Sequence, residues 1–270
     1  MPDVVDDLGA PVSVPDEPAR IVSLVPNLSE VLAEWELAER TVAVTDWCVA
    51  PAGAFGHASR IRGPKNPDVA AIVELAPDVV VANEEENREL DVRRLREAGV
   101  AVYVTRVRTV ADAAATLQRL GEALGVAAAG SALADELRRA GAPTPAGRAA
   151  VVALCPIWRD PWMVVGRDTF AGDLLTRAGA RVWHPPGDAR YPRIDLEDAR
   201  SAGVDVVLLP DEPYAFGERD RAVFAGWGCR VYLIDGAGLT WWGPRTPAAI
   251  RRIATILADA ADAREARDGQ

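Results

Sequence analysis

Five of the 8 tryptophans in this 270-residue chain, Trp47, Trp158, Trp162, Trp241 and Trp242, fall just after segments that read as β-strands. Trp outnumbers both Tyr and Phe, of which there are 4 each. An indole offers a large flat apolar surface and a single N–H donor, so it serves either a packed core or a ligand clamp. Both readings stay open for each ring. Carboxylates and amides share the same loops. Asp46 precedes Trp47 and Cys48, Asn83 precedes Glu84, Glu85 and Glu86, and Asp211-Glu212 precedes Pro213-Tyr214. Three adjacent glutamates suit a solvated helix start, where acids favour the macrodipole, or hydrogen bonding to amide groups of a ligand. Asp211-Glu212 occupies the corresponding place in the second half, which points to one carboxylate per half facing a ligand.

Signatures of covalent or hydride chemistry are missing. No G-x-G-x-x-G follows the first strand, and there is no Walker loop and no G-x-S-x-G elbow. The 2 histidines, His57 and His184, lie in loop-type sequence. Cys48, Cys155 and Cys229 lack C-x-x-C spacing, so a thiolate zinc site and a bound free metal ion are not expected, nor is a disulfide framework.

The elements that position these residues alternate between strand and helix. Arg20 to Val25 is a short apolar run ending at Pro26-Asn27, with Asn27 and Ser29 as cap-type residues before a helical face of Leu28, Val31, Leu32 and Trp35. Thr41 to Thr45, Asp78 to Ala82 and Val100 to Thr105 read as further strands, and a helix over Leu90 to Ala98 ends at Gly99. From Thr109 to Ala140 the chain is rich in Ala, Leu, Glu and Arg. It predicts a nearly continuous helix of about 30 residues. Gly125 permits a break, and Gly141 to Pro145 is the stop. Strands return at Ala149 to Leu154, Trp162 to Val165, Val204 to Leu209 and Arg230 to Ile234, and a last helix runs from about Thr246 to Ala263. The expected class is α/β: two similar lobes with central parallel sheets joined by a long backbone helix. The expected limits are 1–108 for the N-terminal lobe, 109–145 for the connecting helix and 146–270 for the C-terminal lobe. Ligands of open parallel sheets bind beyond the carboxyl ends of the strands, where the aromatic loops lie.

A net charge of −10 argues against nucleic acid as a partner, and no run reaches the ~18 apolar residues of a membrane span. The start, Met-Pro-Asp-Val-Val-Asp-Asp, lacks the basic and then apolar pattern of a secretory signal. A cytoplasmic location is expected from this, or a periplasmic or extracellular one if a leader has been removed.

Asp6-Asp7-Leu8-Gly9, Val12 to Pro15 and the stretch from Arg20 to Glu30 resemble the opening of the helical-backbone substrate-binding proteins of ABC importers. The likeness continues through Asn66-Pro67-Asp68, Leu75 to Ala82 and Ala98-Gly99-Val100. It is strongest to the cobalamin-binding type and to helical backbone metal receptors, through Thr45 to Cys48, Gly63 to Asp68, Ala82 to Asn87, Pro156 to Trp158, Val165 to Phe170 and Leu209 to Tyr214. The resemblance implies a rigid two-lobe clamp, a class III periplasmic-binding-protein fold, and non-catalytic binding of cobalamin, with haem or a ferric siderophore as alternatives. It implies corrin contacts from Trp47 and Trp242 or Trp241, with Trp158 and Phe170 as additions. Polar contacts are expected from Asn83, Glu85, Arg167 and Tyr214, and the wider ligand set takes in Pro26, Asn27, Asp46, Cys48, Asn66, Glu84, Trp162, Tyr191 and Glu212. The expected state is a monomer. Importer members dock on a permease through one glutamate per lobe. Glu197 stands at about that place in the second lobe, but Ala70 stands there in the first. Two other classes compete: a chelatase-like enzyme using Glu84, Glu85 or His184, and a cytoplasmic sensor or scaffold acting through a protein partner.

Overall fold

The structure, a computed structural model, describes residues 3–142 and 150–268. The chain folds as two compact units. One runs to Val107 and includes Asp112–Glu136; the other comprises Arg108–Ala111 and the residues from Leu137 onward.

The first unit opens with an antiparallel hairpin of β1 (Asp3–Val5) and β2 (Pro11–Ser13). Asp6 organises its turn, accepting from the Leu8 and Ala10 amides at 3.0 and 2.8 Å, while Arg96 closes on its other oxygen at 2.7 Å. The helices and strands that follow are β3 (Ile21–Ser23), α1 (Pro26–Glu34), β4 (Thr41–Val44), β5 (Ser59–Arg60), α2 (Val69–Glu74), β6 (Val79–Asn83), α3 (Glu89–Glu97) and β7 (Val102–Thr105). They build a parallel five-stranded sheet ordered β5-β4-β3-β6-β7. All five residues of β6 are buried, which is why that segment reads as a continuous apolar run rather than an alternating one. Each such Val contributes about 1.5–3 kcal/mol through removal from water. The strand order reverses between β3 and β6, and that switch point directs attention to the loops after these two strands.

Pro26, not Asn27 or Ser29, sets the start of α1. Val25 is the extended cap residue without a side-chain cap bond, and Pro26 takes the first turn, where its missing N–H costs nothing. Asn27 and Ser29 are buried inside the helix. Gly99, at φ +82°, follows α3 as the sequence predicts.

The predicted continuous helix is two helices, α4 (Val110–Ala123) and α5 (Ala127–Ala140). Gly125 sits between them at φ +75°, and a Cβ there would stand 2.3 Å from the Asp16 carbonyl oxygen. Gly121 and Gly130 let the two helices close together, since a Cβ on Gly121 would meet the Gly130 Cα at 2.8 Å. The predicted stop at Pro143 to Pro145, and Ala149 of the next predicted strand, lie outside the described residues.

The second unit contains β8 (Val151–Leu154), β9 (Pro156–Trp158), β10 (Met163–Val164), α6 (Phe170–Arg177), β11 (Ala180–Val182), α7 (Leu196–Ser201), β12 (Val206–Pro210), α8 (Glu218–Arg221), β13 (Arg230–Ile234), α9 (Gly236–Thr240) and α10 (Thr246–Asp268). Its main sheet is parallel and ordered β11-β8-β12-β13, with β9 and β10 as a separate antiparallel pair. Thr169 caps α6 by accepting from the Gly172 amide at 3.1 Å. Asp205, 7% exposed, accepts from the Val152 amide at 2.8 Å and from Arg264 at 3.0 Å, which fixes α10 to the sheet. Among the described residues no helix is long and apolar enough to cross a membrane.

Candidate functional site

The loops at the carboxyl ends of the strands are described unit by unit. In the first, β4 runs into a tight turn whose Cys48 amide donates to the Thr45 carbonyl at 3.1 Å. Arg60 reaches across from β5 and donates to the carbonyls of Thr45 and Cys48 at 3.0 and 3.1 Å. The turn buries Cys48 and pushes Asp46 and Trp47 outward. Trp47 is 67% exposed, an unusual state for the largest apolar side chain. Its indole nitrogen lies 3.4 Å from where a Cβ on Gly63 would be, so the ring rests beside the 63–66 loop rather than floating free. Burial pushes the Cys48 thiol upward, against the lowering effect of Ser29 and Thr45, so it is a packing residue rather than a thiolate.

Asn83 and Asn87 make the next loop. Both are 6% exposed. The Asn83 carbonyl oxygen accepts from the Glu85 and Glu86 amides at 2.9 and 3.2 Å, while its NH2 donates to the Thr105 hydroxyl at 3.2 Å. The Asn87 oxygen accepts from the Asn83 amide at 2.8 Å, and its NH2 donates to Leu24 O at 3.3 Å and Pro64 O at 3.0 Å. Lys65 donates to the Glu85 carbonyl at 2.5 Å. Asn83, expected to meet a ligand, therefore has its amide engaged in building the turn. That turn presents Glu84 outward and leaves Glu85 half-buried. Asn66 is exposed, Pro26 half-buried and Asn27 buried.

In the second unit Trp158 ends β9 and is 43% exposed. It is the outer end of a chain of rings. Trp158 meets Tyr214 edge-on at 5.7 Å, Tyr214 meets Phe216 at 4.6 Å, Phe216 stacks on Trp162 at 5.9 Å, and Trp162 leads through Phe224 (5.8 Å) to Trp227 (5.0 Å). Such pairs prefer edge-on and offset geometry because ring faces are negative and edges positive. Trp162 is thus half-buried in an aromatic core with Arg159 over its face at 5.6 Å. Arg159 is itself held by Asp220 at 2.5 Å.

Asp211 and Glu212, at the end of β12, hold α9. The Asp211 carboxylate accepts from the Gly236 amide at 2.7 Å, and Thr240 approaches Glu212 at 3.4 Å. A Cβ on Gly236 would stand 2.7 Å from the Glu212 backbone nitrogen. Burial, reinforced by the charge of Asp211, raises the Glu212 carboxyl above the usual carboxylate range, with Thr240 and Trp241 hydrogen bonds opposing. Trp241 caps this turn, half-buried, with Arg245 over its ring at 5.2 Å, whereas Trp242 is buried at 5% exposure. Arg167 is exposed, Phe170 buried at the start of α6, and Tyr191 half-buried beneath Arg190 at 5.3 Å. The histidines serve loops: His57 pairs with the Ala38 carbonyl at 3.1 Å and His184 with that of Pro185 at 2.8 Å. Among the described residues no cluster of three or more His, Cys, Asp or Glu could hold a metal ion. What the sequence did not reveal is the role of Arg60, Lys65 and Asn87. An N-x-x-x-N spacing at a strand end is the one signal that could have found the last.

The periplasmic binding protein family matches residues 21–220. The chain belongs to that family. A vitamin B12-binding protein of Vibrio cholerae is 20% identical over 245 residues, 88% of each chain. The crystal structure of periplasmic vitamin B12 binding protein BtuF of Vibrio cholerae superposes with a TM-score of 0.77 at 20% identity, over 90% of this chain and 98% of that one. A periplasmic heme-binding protein, BhuT in complex with two hemes, gives 0.76 at 26% identity over the same shares. As a periplasmic binding protein the chain has the two α/β lobes with parallel sheets that the sequence indicated. The expectation of a cytoplasmic location is corrected: these relatives are periplasmic, and the periplasmic alternative fits. The expectation rested on the opening residues, and the charge and patterning of the folded binding domain read the same in either compartment.

Proposed function

We propose that this periplasmic binding protein is a non-catalytic receptor for a bulky planar metal chelate, with cobalamin or another corrinoid as the favoured ligand. One observation supports the reading above others. In each unit a strand-end loop holds a tryptophan out in water, Trp47 at 67% and Trp158 at 43% exposure. Exposed indoles held in place by a supporting loop are poor for stability and good for stacking on a macrocycle. The vitamin B12-binding relative supports the ligand class.

The charge of the loops favours a corrinoid over haem. A corrin edge carries neutral amides, which accept from donors and donate to carboxylates. Haem carries two carboxylates, and the loops here are rich in acids at Asp46, Glu84, Glu85, Asp211 and Glu212. Like charges at close range disfavour the dianion. Delivery to an ABC permease is part of the proposal for the second unit only. Glu197 is exposed in the first turn of α7, while Ala70 is exposed at the matching place in the first unit and carries no charge.

Titration with cyanocobalamin, haemin and a ferric hydroxamate tests the reading. Saturable quenching of Trp emission by the corrinoid, weakened at least tenfold in Trp47→Ala and Trp158→Ala, is expected. A flat response to all three chelates would defeat it, and preference for haemin would move the ligand to the haem class. Turnover of a free tetrapyrrole with metal would instead revive the chelatase class.

A further inference from the structure

We propose a second ligand site in the C-terminal unit: the hollow between α9 and the first turns of α10 binds an aliphatic monocarboxylate of medium chain length. The hollow has a volume of about 310 Å³, at the lower end of the range of small-molecule pockets, roughly 300–1,000 Å³. Its floor is apolar, formed by Ile234, Leu239 and Ile253, which are 7%, 1% and 4% exposed. Ala249 lines one side, and its short side chain leaves the space open.

The rim carries two cations, Arg245 and Arg252. Arg245 immediately precedes α10 and Arg252 lies about two helical turns further on, so both stand on the side of the helix that lines the hollow. Asp235 is also on the rim, but its carboxylate accepts from the Gly238 amide at 3.0 Å and lies 4.0 Å from Arg245. The rim is therefore net positive on a chain whose total is −10. An apolar floor beneath guanidinium groups matches one ligand chemistry: a hydrocarbon tail to fill the hollow and a single carboxylate for a forked guanidinium. A neutral alcohol would leave the rim unused, and a short dicarboxylate would place charge against the floor. Arg245 also lies over the Trp241 ring at 5.2 Å, so an anion drawing on that guanidinium changes the surroundings of Trp241. This site does not depend on the chelate reading.

Calorimetric titration of the full chain with octanoate, octanol and succinate tests it. One octanoate per chain is expected, with octanol and succinate at least tenfold weaker and with a change in Trp emission that Trp241→Phe removes while the heat remains. Arg252→Gln should cost roughly tenfold in octanoate affinity through the lost charged hydrogen bond. Ala249→Leu should fill the hollow and abolish binding. Arg252 is exposed and Ala249 only half-buried, so both variants keep the parent melting temperature, which is checked alongside. Octanol binding as tightly as octanoate, or octanoate binding unchanged in Ala249→Leu, overturns the proposal.

Discussion

The Asn87 side-chain amide donates to the Pro64 carbonyl at 3.0 Å, and through its second donor and its oxygen it also holds Leu24 and Asn83. One buried residue thus fastens three strand-end loops of the first unit, at the point where the strand order reverses. Asn87→Ala leaves a buried amide and two carbonyls without partners. A loss of about 2–3 kcal/mol is expected in urea unfolding, because orphaned buried groups carry their full desolvation cost. Chelate affinity should fall with it, since Lys65 and Trp47 lean on the same loops.

Two glycines, Gly63 in a strand-end loop of the first unit and Gly236 at the start of α9 in the second, should respond to alanine to very different extents. At Gly63 the atoms nearest the added methyl are the Asn66 Oδ1, at 2.8 Å, and the Trp47 ring, from 3.4 Å. Both are ends of exposed side chains that can swing away. Stability should change by less than about 0.5 kcal/mol while the Trp47 emission shifts and the chelate binds more weakly. At Gly236 the methyl meets the Glu212 backbone at 2.7 and 2.8 Å, which cannot yield without moving β12. About 2 kcal/mol or more should be lost in the same denaturation assay.

Gly125→Ala combines a steric and a conformational fault. The residue is at φ +75°, and the new methyl would overlap the Asp16 carbonyl oxygen at 2.3 Å. Left-handed backbone alone costs an alanine about 1–2 kcal/mol. A total near 3 kcal/mol is expected in thermal unfolding followed by circular dichroism, with helix content retained once folded.

The Glu212 carboxyl gives a pH signature. Its folded value is raised, first by burial and then by Asp211. A raised acid binds its proton more tightly folded than unfolded. Its contribution is therefore fully present at low pH and is lost as pH rises from the ordinary carboxylate range through the folded value. Glu212→Gln removes that loss. Its melting temperature relative to the parent should rise between pH 4 and pH 8, and a constant difference across that range would contradict the assignment.

Much of the fold is legible in the residues. Val79 to Ala82 and Val206 to Leu209 are β-branched or aliphatic runs of the kind a parallel strand covered on both faces carries. The short strands β5 and β11 are not legible, because Ser59-Arg60 and Ala180-Arg-Val182 make two or three ladder contacts at sheet edges and carry no period. The sequence over 109–140 reads as one nearly continuous helix because propensity sums locally, whereas the break is decided by the approach of Gly125 to Asp16, more than a hundred residues away. The site divides along similar lines. Exposure of Trp47 and Trp158 fits their loop placement, but the same placement puts Trp162 and Trp242 into packed interiors. Composition cannot separate the two fates, because an indole gains from either. Asn83 reads in the sequence as a polar strand-end residue, and only the backbone path shows its side chain bonded to the Glu85 and Glu86 amides and to Thr105.

The row of rings from Trp158 to Trp227 has an optical consequence. No two indoles are adjacent in the row, but neighbouring centroids are 4.6–5.9 Å apart and only one or two Tyr or Phe rings separate successive indoles, so Trp162 and Trp227 stay near enough to Trp158 to pass excitation through space to an acceptor seated there. A chromophore seated on Trp158 therefore drains light from indoles it never touches, and the dimming it causes will exceed the share of the one ring in contact.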